Sequence, residues 1–95
     1  MPKLIWSREA LLDMRRVYSF LAAVNLDAAN RAVQAIREGI KTIKHFPQSG
    51  RLVEGLDVEY RDWPIQFSKD GYLVRYWYDG KVVEIILVRH QRELL

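Results

Sequence analysis

Apolar and polar positions follow two rhythms along this chain, a helical one in the first half and a strand-like one in the second. Lys3 to Trp6 is a short apolar run that stops at Ser7, and it predicts a first strand. Ser7 can cap a helix, with Glu9 in the first turn, where a carboxylate meets the positive end of the helix dipole. Leu11, Met14, Val17, Tyr18, Leu21 and Ala22 then recur at helical spacing, opposite Arg8, Asp13, Arg15 and Arg16. This predicts an amphipathic helix from Arg8 to Val24. Asn25-Leu26-Asp27 breaks the pattern and offers a second cap. Beyond it a stripe from Ala29 through Ile36, Ile40 and Ile43 to Phe46 predicts a second, longer helix. Pro47 ends that helix, because proline disfavours helical geometry in the preceding residue and lacks the N–H to continue it. So short a link between the helices makes them antiparallel.

The segment from Pro47 to Asp57 is rich in turn residues, and strand-like patterning follows it. Val58 to Phe67 predicts a strand bent or interrupted at Pro64, and Ser68-Lys69-Asp70-Gly71 a turn into a strand from Tyr72 to Tyr78. Asp79-Gly80 suits a tight hairpin with positive backbone angles, leading into Val82 to His90. Val82 to Val88 is almost continuously apolar, which predicts a central strand buried on both faces, Ile86 included. The expected class is α+β, in the order β-α-α-β-β-β, with a helical hairpin laid on an antiparallel sheet.

A chain of 95 residues with 49% apolar and 28% charged content is expected to fold as one domain spanning 1–95 around a single core. It has no cysteine, which excludes disulfides, thiolate zinc sites and thiol nucleophiles, and two histidines make a poor metal cluster. No cofactor or metal is expected. No apolar stretch approaches the ~18 residues of a membrane span, and the start lacks a signal-like apolar region, so a cytoplasmic protein is expected. The net charge of +3 is mild, and the position of the charges matters more than their sum.

Arg61, Arg75 and Arg89 fall one on each of the last three strands, and pairing across both hairpins can bring them to one face. Arg51 from the loop and His90 or Arg92 at the end can join them. Such a patch suits phosphate or carboxylate, which the arginine fork binds through two hydrogen bonds. The bland reading leaves these arginines solvated or paired with Glu54, Glu59, Asp62 and Glu84. His90 is a candidate general acid or base, or a hydrogen-bonded structural residue at a strand end. Tyr60, Trp63, Tyr72, Tyr76, Trp77 and Tyr78 can stack on nucleic-acid bases or simply pack the sheet.

Several short motifs follow one another in a familiar order: Trp6-Ser7 with Ala10 and Asp13; Ala28-Ala29; Phe46-Pro47-Gln48-Ser49-Gly50-Arg51; Tyr60-Arg61-Asp62-Trp63-Pro64-Ile65; Tyr72 and Tyr76; and Val88-Arg89-His90-Gln91-Arg92-Glu93. Together they resemble the RelE/ParE superfamily of toxins from bacterial type II toxin–antitoxin systems. The Pro-Gln-Ser-Gly-Arg turn and the Arg-His-Gln-Arg-Glu ending are closer to the ParE branch. Leu73 stands where many relatives in the mRNA-cutting branch place an arginine, and little room follows for a C-terminal helix carrying a catalytic tyrosine.

The resemblance implies a plasmid-stabilisation type of toxin that inhibits DNA gyrase through protein contacts and is neutralised by a cognate antitoxin in a hetero-oligomer. An alternative is a ribosome-dependent mRNA endonuclease, with Arg61, Arg75 and His90 as its catalytic set. Arg51, Arg89 and Arg92 are expected to bind the target. A third reading is a nontoxic nucleic-acid-binding module.

Overall fold

In the computed structural model residues 1–94 are described, and the side chains of residues 1–92. The elements are β1 (Lys3–Trp6), α1 (Arg8–Ala22), α2 (Leu26–His45), β2 (Arg51–Leu52), β3 (Tyr60–Ile65), β4 (Tyr72–Tyr78) and β5 (Val82–His90), followed by a 3-10 turn at Gln91–Leu94. They form a five-stranded sheet in the order β1-β5-β4-β3-β2. The α+β class and the antiparallel β3-β4-β5 meander are as the sequence predicts. β1 adds itself in parallel to β5, with Lys3 opposite Val82 and Trp6 opposite Ile85.

Each helix begins where its cap predicts. The Ser7 hydroxyl accepts from the N–H of Ala10 at 3.0 Å and donates to the Ile86 carbonyl at 2.8 Å, so one side chain both starts α1 and moors it to β5. Asn25 accepts from the N–H of Ala28 at 3.1 Å at the start of α2. Both helices cover the same face of the sheet. Val17, Ile36, Ile40 and Ile43 meet Val74, Tyr76, Val83 and Ile85 there in one core.

Four expectations need correction. The buried stripe of α1 is Ala10, Asp13 and Val17, whereas Leu11 is 53% exposed and Tyr18 is exposed as well. The reason is the position of the helix. β1 stops pairing at Trp6, so α1 runs beside the open edge of β5, whose Val88 N–H needs an acceptor and finds the Asp13 carboxylate at 2.9 Å.

β5 is an interior strand, yet it is buried on one face only. Val83, Ile85 and Val88 are inaccessible to solvent, and their neighbours are half-buried because no helix covers the other face. Arg75 pairs with Leu87 while Tyr76 pairs with Ile85, so Ile86 is an extra residue at a bulge and not a core position.

The loop after Pro47 contains β2, which pairs with β3 through Arg51–Asp62 and Leu52–Arg61. β3 is shorter than predicted and keeps Pro64 within it, beyond the reach of β2, where it has no outer neighbour to bond.

In the last hairpin only Gly80 has a positive φ, 97°. Asp79 serves instead as an acceptor, taking the N–H groups of Lys81 and Val82 at 2.9 Å each, and these bonds lower its carboxyl pKa.

Candidate functional site

Side chains alternate along a strand, so the pairing register decides which candidate residues can act together. Arg61 lies opposite Tyr76 and His90 opposite Tyr72, which puts both on the helix-covered face. Asp62 and Leu87 lie opposite Arg75, Arg89 opposite Leu73, and Arg51 opposite Asp62, which puts the other three arginines on the open face. The single basic face expected for Arg61, Arg75 and Arg89 is therefore not formed. A one-residue offset separates Arg61 from the position that would have joined them.

Most of these cations already have partners. Arg61 donates to the main-chain carbonyls of Gln48 at 3.0 Å and Gly50 at 2.8 Å. Arg75 makes a two-point contact with Asp62, Nε to Oδ1 at 2.8 Å and an Nη to Oδ2 at 3.0 Å. Those hydrogen bonds hold the Arg75 pKa above its usual value, outweighing the opposing effect of burial. Arg89 binds Asp13 and also Glu9, the latter at 3.0 Å, and so turns from the open face to the edge of the sheet. Arg92 pairs with Asp70 at 2.8 Å. The His90 ring meets the Tyr72 ring edge-on at 5.3 Å, and its Nδ1 accepts from the N–H of Arg92 at 3.2 Å. That bond requires an unprotonated Nδ1 and leaves the ring proton on Nε2 in the neutral form. Arg51 is exposed, and among the described residues its side chain has no hydrogen bond or ion pair.

A groove of about 830 Å³ opens between α1, the start of α2, the β3–β4 turn and the end of β5. Its apolar surface comes from Val17, Phe20, Phe67 and Tyr72. Arg16, Arg31, Lys69 and Arg92 surround this surface, three of them also paired with a neighbouring carboxylate, Arg16 with Asp13, Arg31 with Asp27 and Arg92 with Asp70. The Arg31 guanidinium lies 5.8 Å from the centre of the Phe67 ring. The sequence pattern passed over this groove, yet it held a signal. Phe20 is a large aromatic outside the apolar stripe of α1, and it is 75% exposed.

A second hollow, about 860 Å³ and open to solvent, lies on the uncovered face between Arg51, Asp62, Leu73 and Arg75. Among the described residues no cluster of three or more histidines, aspartates or glutamates could hold a metal ion. Among those residues no helix is long and apolar enough to cross a membrane.

The arrangement can therefore bind an acidic, partly apolar segment in one place and offer a lone cation in another. It does not bring Arg61, Arg75 and His90 together around one point, because Arg75 lies on the open face and the other two on the covered one.

Comparison with known proteins agrees with the fold. The solved structure of the chromosomal ParDE TA system from P. aeruginosa superposes with a TM-score of 0.74 at 21% identity, covering 95% of this chain and 96% of that one. The YoeB/ParE toxin from Agrobacterium tumefaciens superposes with a TM-score of 0.56 at 22% identity, covering 93% and 96%. Toxin RelE2 of Caulobacter vibrioides is 23% identical over 94 residues, 99% of this chain and 100% of that protein. Residues 4–95 match the family described as the ParE toxin of the type II toxin-antitoxin system, parDE. With that match spanning almost its whole length, and with the two-helix, five-stranded architecture to go with it, the chain belongs to the ParE toxin family, within the RelE/ParE superfamily of type II toxin–antitoxin toxins.

Proposed function

We propose that this toxin arrests its target by protein contact, with DNA gyrase as the target, and that it hydrolyses no substrate of its own. The supporting observation is the dispersal of the would-be catalytic set. Arg61 braces a turn, Arg75 is neutralised by Asp62, and His90 faces the helices. A phosphodiester cleaved by general acid–base chemistry needs these groups within hydrogen-bond reach of one phosphate. The choice of gyrase rests on the likeness to the ParE branch. This reading also puts the toxin in the bacterial cytoplasm, as part of a plasmid-stabilisation type of system.

A type II toxin of this family implies a cognate antitoxin. In this reading, part of the antitoxin occupies the 830 Å³ groove as an acidic amphipathic segment. Its apolar side covers Phe20 and Phe67, and its carboxylates meet the surrounding cations.

The test is to induce the chain and its His90→Gln variant while following mRNA integrity in cells and supercoiling by purified gyrase. Intact mRNA, blocked supercoiling and undiminished toxicity of the variant are expected. Removal of a working acid–base group would instead slow cleavage by roughly 10²- to 10⁴-fold. Ribosome-bound mRNA that is cut by the parent, spared by the variant and accompanied by normal supercoiling would establish the endonuclease instead.

A further inference from the structure

The turn from Pro47 to Gly50 is held from inside with unusual completeness. The Tyr76 hydroxyl donates to the Pro47 carbonyl at 2.7 Å and accepts from the Gly50 N–H at 3.0 Å. Arg61 holds the carbonyls of Gln48 and Gly50. Gly50 is buried against this clamp, and an added Cβ would lie 2.5 Å from the Tyr76 oxygen and 2.9 Å from the Arg61 Cβ. Two large side chains thus fix a turn whose tip, Gln48 and Ser49, is exposed.

The turn leads straight into Arg51. Its strand neighbour Asp62 is the nearest natural partner by register, but the charge of that carboxylate is already balanced by Arg75, which donates to both of its oxygens. Arg51 is therefore a cation denied its neighbour and set beside an open hollow on the uncovered face.

We propose that Arg51 is a target-contact residue, taking a carboxylate on the surface of the target protein, and that Arg61 and Tyr76 are positioning residues acting through the turn. This rests on the reading that the toxin acts by protein contact. Of the two arginines that the structure describes in this hollow, Arg51 is the one without a carboxylate partner, and it matches an isolated carboxylate. A nucleic-acid backbone carries a phosphate at every nucleotide and calls for a row of cations, and here Arg75 is already spent on Asp62.

The experiment uses the full chain and its Arg51→Glu variant. Growth arrest on induction, inhibition of purified gyrase, affinity for the antitoxin and thermal melting are measured in parallel. Because Arg51 is exposed, the variant is expected to melt like the parent and to bind antitoxin equally. Its inhibition should fall roughly tenfold or more. Arg61→Ala should weaken arrest without changing antitoxin affinity, and Arg61→Lys should restore part of it. A purely structural role would lower arrest and antitoxin affinity together.

Arrest undiminished in Arg51→Glu overturns the inference. Binding of a labelled single-stranded RNA by the parent, lost in Arg51→Glu, overturns it in favour of a phosphodiester ligand. If the parent leaves gyrase untouched while arrest still depends on Arg51, the gyrase assignment fails and the contact residue stands.

Discussion

Asp13, in the second turn of α1, is ion-paired with Arg89 at the far end of the chain, and the same carboxylate oxygen accepts the N–H of Val88 at 2.9 Å. One buried acid thereby closes the open edge of β5 and turns an arginine away from the uncovered face of the sheet. A helix-facing carboxylate ordinarily weakens a core. Here it replaces the β-strand neighbour that β1 fails to provide beyond Trp6.

Asp13→Ala should leave the Val88 N–H without an acceptor and the partly buried Arg89 without its inner partner. The expected loss is about 2 to 4 kcal/mol, against a total of about 5 to 15 for such a domain. Asp13→Asn keeps an acceptor oxygen and should lose clearly less. Denaturant midpoints of the two variants check this, and equal losses would show that the N–H contact carries no weight.

Gly50→Ala should cost about 1 to 3 kcal/mol, because the new methyl group must displace Tyr76 or Arg61. Tyr76→Phe tests the same clamp through pH. Burial raises the Tyr76 pKa above its usual 10.0, so the folded chain favours the neutral phenol. The unfolded chain ionises first. The stability gained is therefore complete below about pH 10 and declines as the pH rises through the folded value. Melting curves of Tyr76→Phe should fall less steeply with alkaline pH than those of the parent, and parallel curves would exclude a buried neutral phenol.

Ile85→Asp and Ile86→Asp should behave differently although they are adjacent. Ile85 is inaccessible to solvent, and an unpaired charge there should unfold the domain. Ile86 sits at the bulge, half-buried, and its substitution should cost about 1 kcal/mol and leave a cooperative thermal transition. Equal melts would show that the bulge has slipped by one residue.

These contrasts mark what the residue pattern could and could not say. Caps at Ser7 and Asn25, the break at Pro47 and the turn at Gly80 are local signals, and the elements they bound lie where expected. The placing of Arg61 depends on which residue of β4 stands opposite it, and no local pattern carries that information. The bulge at Ile86 likewise comes from pairing, and it hides inside a run that is apolar throughout. β2, two residues long, offers too little alternation to be seen. The residue pattern puts Asp13 on the polar side because a carboxylate is ordinarily solvated, and its burial is explained by the Val88 N–H and the Arg89 guanidinium that meet it. For the candidate site, the individual arginines stood out in the sequence and so did Asp62 as a partner, whereas the pairing of Arg89 with Asp13 and Glu9 depends on where α1 lies and did not.

The parallel pairing of β1 with β5 sets an order of events. Among the described residues the first strand of the sheet finds its strand neighbour in Val82 to Ile85, so Lys3 to Trp6 wait for a segment made about eighty residues later. While the chain is being made, Lys3 to Trp6 has no strand to join, and α1 lacks both the Ile86 carbonyl that moors Ser7 and the strand edge that employs Asp13. Closure of such distant contacts is slow compared with local helix formation. A nascent chain is thus a helical hairpin without a finished sheet until Val82 to Ile85 have been made, so the layer that the helices cover closes only after both hairpins of strands have followed them.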